Sequence, residues 1–233
     1  EEIMGHAGGN PIVEARSLLS LATLTAMQGR FDEARTLTTR GRAVLGDVGL
    51  RKWTAASCQT AAYIEMLAGD ASAAEHELRT GYGVLDQMGE KGYLSSFAAE
   101  LAQALYRQSR LPESERFTRV SEEIAAPDDL AAQVSWRGPR SKVLARRGEF
   151  DPAQRLADEA VALAGTTDYL DLQGDALMDW AEVQGLAGDL TAFTDVCVRD
   201  RDPEGDGVYD VTGVTYLASR GKDLGVPGLR LGV

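Results

Sequence analysis

An all-α stack of antiparallel helix pairs is the fold class that this sequence predicts, and three observations predict it. A short landmark recurs along the chain, amphipathic stretches of helical period precede its copies, and each copy carries the chemistry of a tight turn between two helices. The landmark is a Gly, a polar residue, an apolar residue, two variable positions and a small residue. It runs from Gly29 to Ala34, Gly69 to Ala74, Ser109 to Ser114, Gly148 to Ala153 and, less well, Gly188 to Phe193. The intervals are about 40, 40, 39 and 40 residues, within the range of helical-repeat arrays.

In each copy the Gly tolerates the left-handed conformation that ends a helix, and the Asp, Glu or Pro that follows starts the next one. The small residue, Ala34, Ala74, Ser114 or Ala153, lets the second helix approach the first. Ahead of the third landmark, Tyr93, Leu94, Phe97, Ala98, Leu101, Ala102, Leu105 and Tyr106 form one apolar face at helical spacing.

Taken in order, the first helices of the pairs are expected over Ile12–Met27, Lys52–Leu67, Gly92–Arg107, Leu130–Arg147 and Tyr169–Leu186. The second helices are expected over Asp32–Leu45, Ser72–Met88, Pro112–Ala125, Asp151–Leu163 and a degenerate Thr191–Val198. Short turn-like links join the pairs, and Asp129 and Asp168 read as helix N-caps. Pro139 falls inside the fourth first helix and is expected to interrupt and kink it. The array therefore spans 12–198, with four good pairs and a degenerate fifth, and 199–233 reads as an irregular Asp/Gly-rich tail. Asp202, Glu204, Asp206 and Asp210 with Gly207 resemble a Ca²⁺ loop, but Gly213 stands where its bidentate acid belongs, so an acidic tail is the simpler reading.

With 36 acidic against 24 basic residues and a formal charge of −12, the chain is poorly suited to a nucleic-acid or anionic-membrane surface. No run approaches the ~20 apolar residues of a membrane-spanning helix. Cys58 and Cys197 lack any paired spacing, which points to packing thiols in a reducing cytoplasm. The chain opens on Glu1 and Glu2 without an initiator Met, so a piece of a longer polypeptide is expected.

The landmarks resemble tetratricopeptide repeats of a longer variety. The run from Gly69 to Gly188 is similar to the C-terminal repeat region of large bacterial, especially actinobacterial, signalling proteins that place adenylate or guanylate cyclase homology and an ATPase module upstream. The residues that carry this resemblance are Glu77-Leu78-Arg79-x-Gly81-Tyr82, Met88-Gly89-Glu90-x-Gly92-Tyr93-Leu94-Ser95, Ala104-Leu105-Tyr106, Ser121-Glu122, Gln133-x-x-Trp136-Arg137, Lys142 through Gly148 and Asp175-Ala176-Leu177-x-Asp179. The resemblance implies a tetratricopeptide-like superhelical solenoid and a regulatory, non-catalytic role.

Arg137, Arg140, Lys142, Arg146 and Arg147 form a basic cluster in this acidic chain. Tyr93, Gln133, Trp136, Arg137, Arg140 and Lys142 are the candidate partner-binding residues, since Arg offers bidentate donors to a carboxylate or phosphate. The competing reading is that the charges are solvated or pair with Glu122, Glu123, Asp128 and Asp129. The aromatics Trp53, Tyr63, Tyr93, Tyr106, Trp136 and Trp180 fall on first helices, either lining a peptide groove or packing between helices.

His6 and His76 are isolated, and the nucleotide, nucleophile-elbow and zinc-protease motifs are absent. The sequence thus reads as a non-catalytic protein-interaction or sensor module with no cofactor. Its expected partner is a protein, a peptide or the upstream domains of the same polypeptide. The alternatives are the ligand-sensing tail of an ATPase-linked transcription regulator, a stand-alone scaffold and, from another class, a carboxylate-based hydrolase.

Overall fold

A computed structural model describes residues 10–188, and these fold as helices joined by short turns. Two compact units meet in the sequence between Met88 and Gly89. In the first unit, α1 (Pro11–Met27) pairs with α2 (Phe31–Asp47) and α3 (Arg51–Ala68) pairs with α4 (Ala71–Gln87). In the second, α5 (Lys91–Arg107) pairs with α6 (Leu111–Ile124), α7 (Leu130–Arg146) pairs with α8 (Phe150–Ala164), and α9 (Leu170–Ala187) packs on both α7 and α8. The all-α fold expected from the landmarks is the one observed, with each helix end within about two residues of its expected place. The degenerate Thr191–Val198 helix, the 199–233 tail with its Ca²⁺-like loop, His6 and Cys197 lie outside the described residues.

The turns follow one design. At the first landmark the Gly29 N–H donates to the Ala26 carbonyl and the Arg30 N–H to the Thr25 carbonyl, which satisfies two carbonyls that a helix end leaves open. The same pair of bonds recurs at Gly69, Ser109 and Gly148. All four turn residues have positive φ, and Ser109, at 60°, is the one non-glycine among the described residues to do so.

Five positions after each turn the small residue is fully buried: Ala34, Ala74, Ser114 and Ala153. Ser114 adds a bond of its own, its hydroxyl donating to the Ala102 carbonyl of α5 at 2.7 Å, and Ser121 does the same to Ser95 at 2.8 Å. The Ser114 bond lets a polar residue occupy a position that the other pairs fill with alanine.

Two expectations are corrected. Helix α7 continues unbroken through Pro139, which is buried within it. A proline removes one helical N–H and crowds the preceding turn, but packing of α7 against four neighbouring helices holds the segment helical. Asp168 does not cap α9; the cap position is Tyr169, with no side-chain bond. Asp129 does cap α7, accepting from the Ala132 N–H at 3.0 Å. Cys58 is buried in α3, and burial pushes its thiol up to about 11, so it is a packing residue.

A left-handed non-glycine costs on the order of 1–2 kcal/mol, of which glycine's extra unfolded-state entropy returns part. Ser109→Gly is therefore expected to stabilise the protein by about 0.5–1 kcal/mol, and Gly148→Ala to destabilise it by about 1 kcal/mol. Urea unfolding followed by circular dichroism checks both signs.

Candidate functional site

Helix α7 lies between α5 and α9 in the second unit, and its residues divide between two faces. Ser135, Gly138, Pro139, Lys142 and Arg146 recur at helical spacing and look towards α5 and α9. Gln133, Arg137, Arg140 and Arg147 look towards α6 and α8. The basic cluster read from the sequence is thus split, and its two halves meet different partners.

Lys142 occupies the first face and is fully buried. Its ammonium donates to Gln103 Oε1 of α5 at 2.8 Å and to Asp179 Oδ1 of α9 at 2.5 Å, and lies 3.9 Å from Glu182 Oε2. The Tyr106 ring sits 4.9 Å away, adding a cation–π contact. Burying an unpaired charge costs several kcal/mol, so a lysine at this depth requires such a set. The Tyr106 hydroxyl donates to Glu182 Oε1 at 2.5 Å and accepts from Arg146 Nε at 3.0 Å. Burial, and next the Glu182 charge, push that phenol well above its ordinary value, so it remains a donor at any pH the protein meets.

Asp179 reaches Lys142 because residue 138 is glycine. A Cβ at Gly138 would overlap the Asp179 carboxylate, so the close approach of α9 to α7 depends on its absence. The next residue, Pro139, has no N–H to return to the Ser135 carbonyl. These features border a cleft of about 110 Å³ among α5, α7 and α9. Glu100, Asp175 and Asp179 give its lining acidic character, and Gln103, Ser135 and Leu172 also line it. Gln103 Nε2 is buried there without a hydrogen-bond partner among the described residues.

On the other face, Trp136 is buried with the Arg137 guanidinium 4.2 Å and the Arg140 guanidinium 4.4 Å from its ring. Arg137 donates to the Gln133 side chain at 2.9 Å and to Glu159 of α8 at 3.2 Å. Arg140 donates to Thr118 and Glu122 of α6, while its Nη2 is buried without a partner. Gln133, Trp136, Arg137 and Arg140 therefore form one cluster, and Lys142 belongs to the opposite face. Tyr93 stands in the first turn of α5, roughly 15 Å along the helix from Gln103.

The sequence reading passed over Gln103, Gly138, Asp179 and Glu182 as site residues, although a signal for three positions of one column exists. Gln103, Lys142 and Glu182 each stand six residues before their turn residue, Ser109, Gly148 and Gly188. A polar residue at one repeat position of three successive first helices marks a polar column, and the same position holds Thr23 in α1 and Tyr63 in α3. The converging acids, Asp179 and Glu182, meet on Lys142. Among the described residues no group of three His, Cys, Asp or Glu side chains could hold a metal ion, and no helix is long and apolar enough to cross a membrane.

No family model matches the chain, and no curated protein matches it. Solved structures do. The chain is similar to a variant form of a putative kinesin light chain of Podosopora anserina with nearly identical TPR-like repeats, at 16% identity and a TM-score of 0.56, covering 85% of this chain and 100% of that one. A second structure of that kinesin light chain gives 16% identity and a TM-score of 0.54, over 84% of this chain and 99% of that one. It is also similar to BtubC (BKLC) from P. vanneervenii, with 14% identity, a TM-score of 0.62, and 96% and 86% of the two chains covered. At these identities the likeness establishes the fold, which is a tetratricopeptide-like helical repeat.

Removing one member of a buried ion pair leaves the other uncompensated, at a cost of about 3–5 kcal/mol. Asp179→Ala is expected to lose stability on that scale. Lys142→Met in the same chain is expected to recover much of the loss, because it removes the orphaned charge while keeping the volume. Urea unfolding of the two single variants and the double variant measures the coupling.

Proposed function

We propose that this chain is a non-catalytic protein-interaction or sensor module whose ligand-facing surface is the row of first helices α5, α7 and α9. The observation that carries the reading is the cleft among them. It combines acidic lining residues, a buried amide N–H without an acceptor at Gln103 and a backbone carbonyl at Ser135 that Pro139 leaves without its helical donor. Such a mixed set of donors and acceptors suits a carboxamide side chain carried on a partner's peptide, and about 110 Å³ suits one side chain. Lys142 acts from beneath, holding α5, α7 and α9 in register.

The motif resemblance supports a finer reading, in which the chain is the C-terminal regulatory part of a larger bacterial cyclase/ATPase signalling protein of the cytoplasm. A segment seated in the cleft touches three helices at once and favours one arrangement of the row, which would bias coupling to upstream domains. The ligand-sensing tail of an ATPase-linked regulator, or a stand-alone scaffold, would use the same cleft and differ in its parent polypeptide. The second surface to test is the Gln133, Trp136, Arg137 and Arg140 cluster, where Arg140 Nη2 has no hydrogen-bond partner among the described residues.

The test is an affinity capture from lysate with the wild-type chain, Ser135→Tyr, which plugs the cleft, and the double variant Arg137→Ala/Arg140→Ala, each first checked by thermal unfolding. The partner is expected to bind the wild type and the double variant, and to bind Ser135→Tyr at least 10-fold more weakly. Loss of the partner in the folded double variant alone would move the binding surface to the α6 and α8 side and overturn the cleft assignment.

A further inference from the structure

The outer face of α1 is a row of large apolar side chains at helical spacing. Val13 is 59% exposed, Leu21 49% and Leu24 55%, with the exposed Ser17 between them. Counted back from the turn residue Gly29, these four stand at positions 16, 8, 5 and, for Ser17, 12.

The same positions counted back from Gly188 in α9 are Leu172, Ala176, Trp180 and Val183. All four pack on the preceding helix pair. Ala176 and Leu172 join Val134, Ala160 and Ala164, while Val183 and Trp180 join Ala145, Ala153 and Ala157. In the first unit the counterpart of Leu24 is Ile64 of α3, which is 1% exposed and packs against Ala22, Ala26, Ala34 and Leu37 of the α1–α2 pair. Helix α9 thus buries this whole face, and α3 buries it at Ile64 while Trp53, the counterpart of Val13, stays 40% exposed.

We propose that the outer face of α1 is a docking surface for a further helix pair of this same repeat type, seated on α1 as α7 and α8 are seated on α9. The occupant's chemistry follows from that interface. Its second helix presents a stripe of small residues equivalent to Ala153, Ala157, Ala160 and Ala164, all buried, into which the α1 side chains fit. Covering Val13, Leu21 and Leu24 removes exposed apolar surface from water, which favours docking. The inference rests on the fold and on repeat equivalence, and is independent of the cleft.

The test grafts residues 130–169, the α7–α8 pair with its link, directly ahead of Pro11 in the otherwise full chain, so that α1 follows the graft as α9 follows the native pair. The midpoint of thermal unfolding is expected to rise by at least about 5 °C. Leu24→Asp, silent in the native chain, is expected to abolish that rise in the extended one. A cysteine placed at Leu24 is expected to react with a maleimide in the native chain and at least 10-fold more slowly in the extended chain, as peptide mass spectrometry would read site by site. An unchanged midpoint with equal labelling would overturn the proposal. So would a native chain that is dimeric by light scattering and becomes monomeric with Leu24→Asp, since the face would then be covered by a second copy.

Discussion

The distance between paired helices depends on one buried small residue, five positions after each turn. Alanine at 34, 74 and 153 leaves only a methyl between the two backbones, and tight packing follows because interhelical distance is set by the side chains at the contact. Ser114 shows what the site requires of a polar substitute. Its hydroxyl has no water to face, so it must find an acceptor, and the Ala102 carbonyl across the pair provides one. The left-handed residue at each turn then returns the chain at the angle that brings this position into contact. Turn and small residue act as a unit, which is why they travel together along the sequence.

Against that apolar pattern, Lys142 is the departure that shapes the second unit. A fully buried ammonium is tolerated only because α5 and α9 each contribute an oxygen and Tyr106 contributes its ring. The arrangement makes the register of three helices interdependent, since displacing any one of them strips a partner from the charge. Gly138 belongs to the same constraint, because the carboxylate of Asp179 occupies the space that a side chain there would need. Pro139 beside it opens a backbone carbonyl at Ser135 without ending the helix. Two residues that propensity alone would exclude from a helix interior therefore coincide with the cleft.

Trp136 carries the opposite lesson about charge. Arg137 and Arg140 flank its ring and reach outward to Glu159 and Glu122 on neighbouring helices. Much of each guanidinium is engaged within the protein, and the cluster ties α6, α7 and α8 together. The pairing of Arg140 with Glu122 was among the possibilities legible in the sequence. That Arg137 and Lys142 would face opposite ways was legible too, since five positions correspond to about 500° of helical rotation, but the basic cluster reads as one patch until that angle is drawn.

Periodicity, turn chemistry and the small residue after each turn were sufficient, from the sequence alone, to determine the helix pairs and their order, because each is a local preference repeated several times over. Helix α7 was the element least legible, since a proline in its interior argues locally for a break and only contacts with four neighbours overrule it. The candidate site was legible in part. Lys142 and the Gln133, Trp136, Arg137 and Arg140 group could be singled out by residue type, whereas Gln103, Asp179 and Glu182 became partners of Lys142 only through the packing of α5 and α9 on α7. Sequence determines which residues recur at one repeat position; which of them share a charge is decided by tertiary structure, because a buried charge is stabilised by oxygens on other helices, far away along the chain, whose approach no local preference encodes.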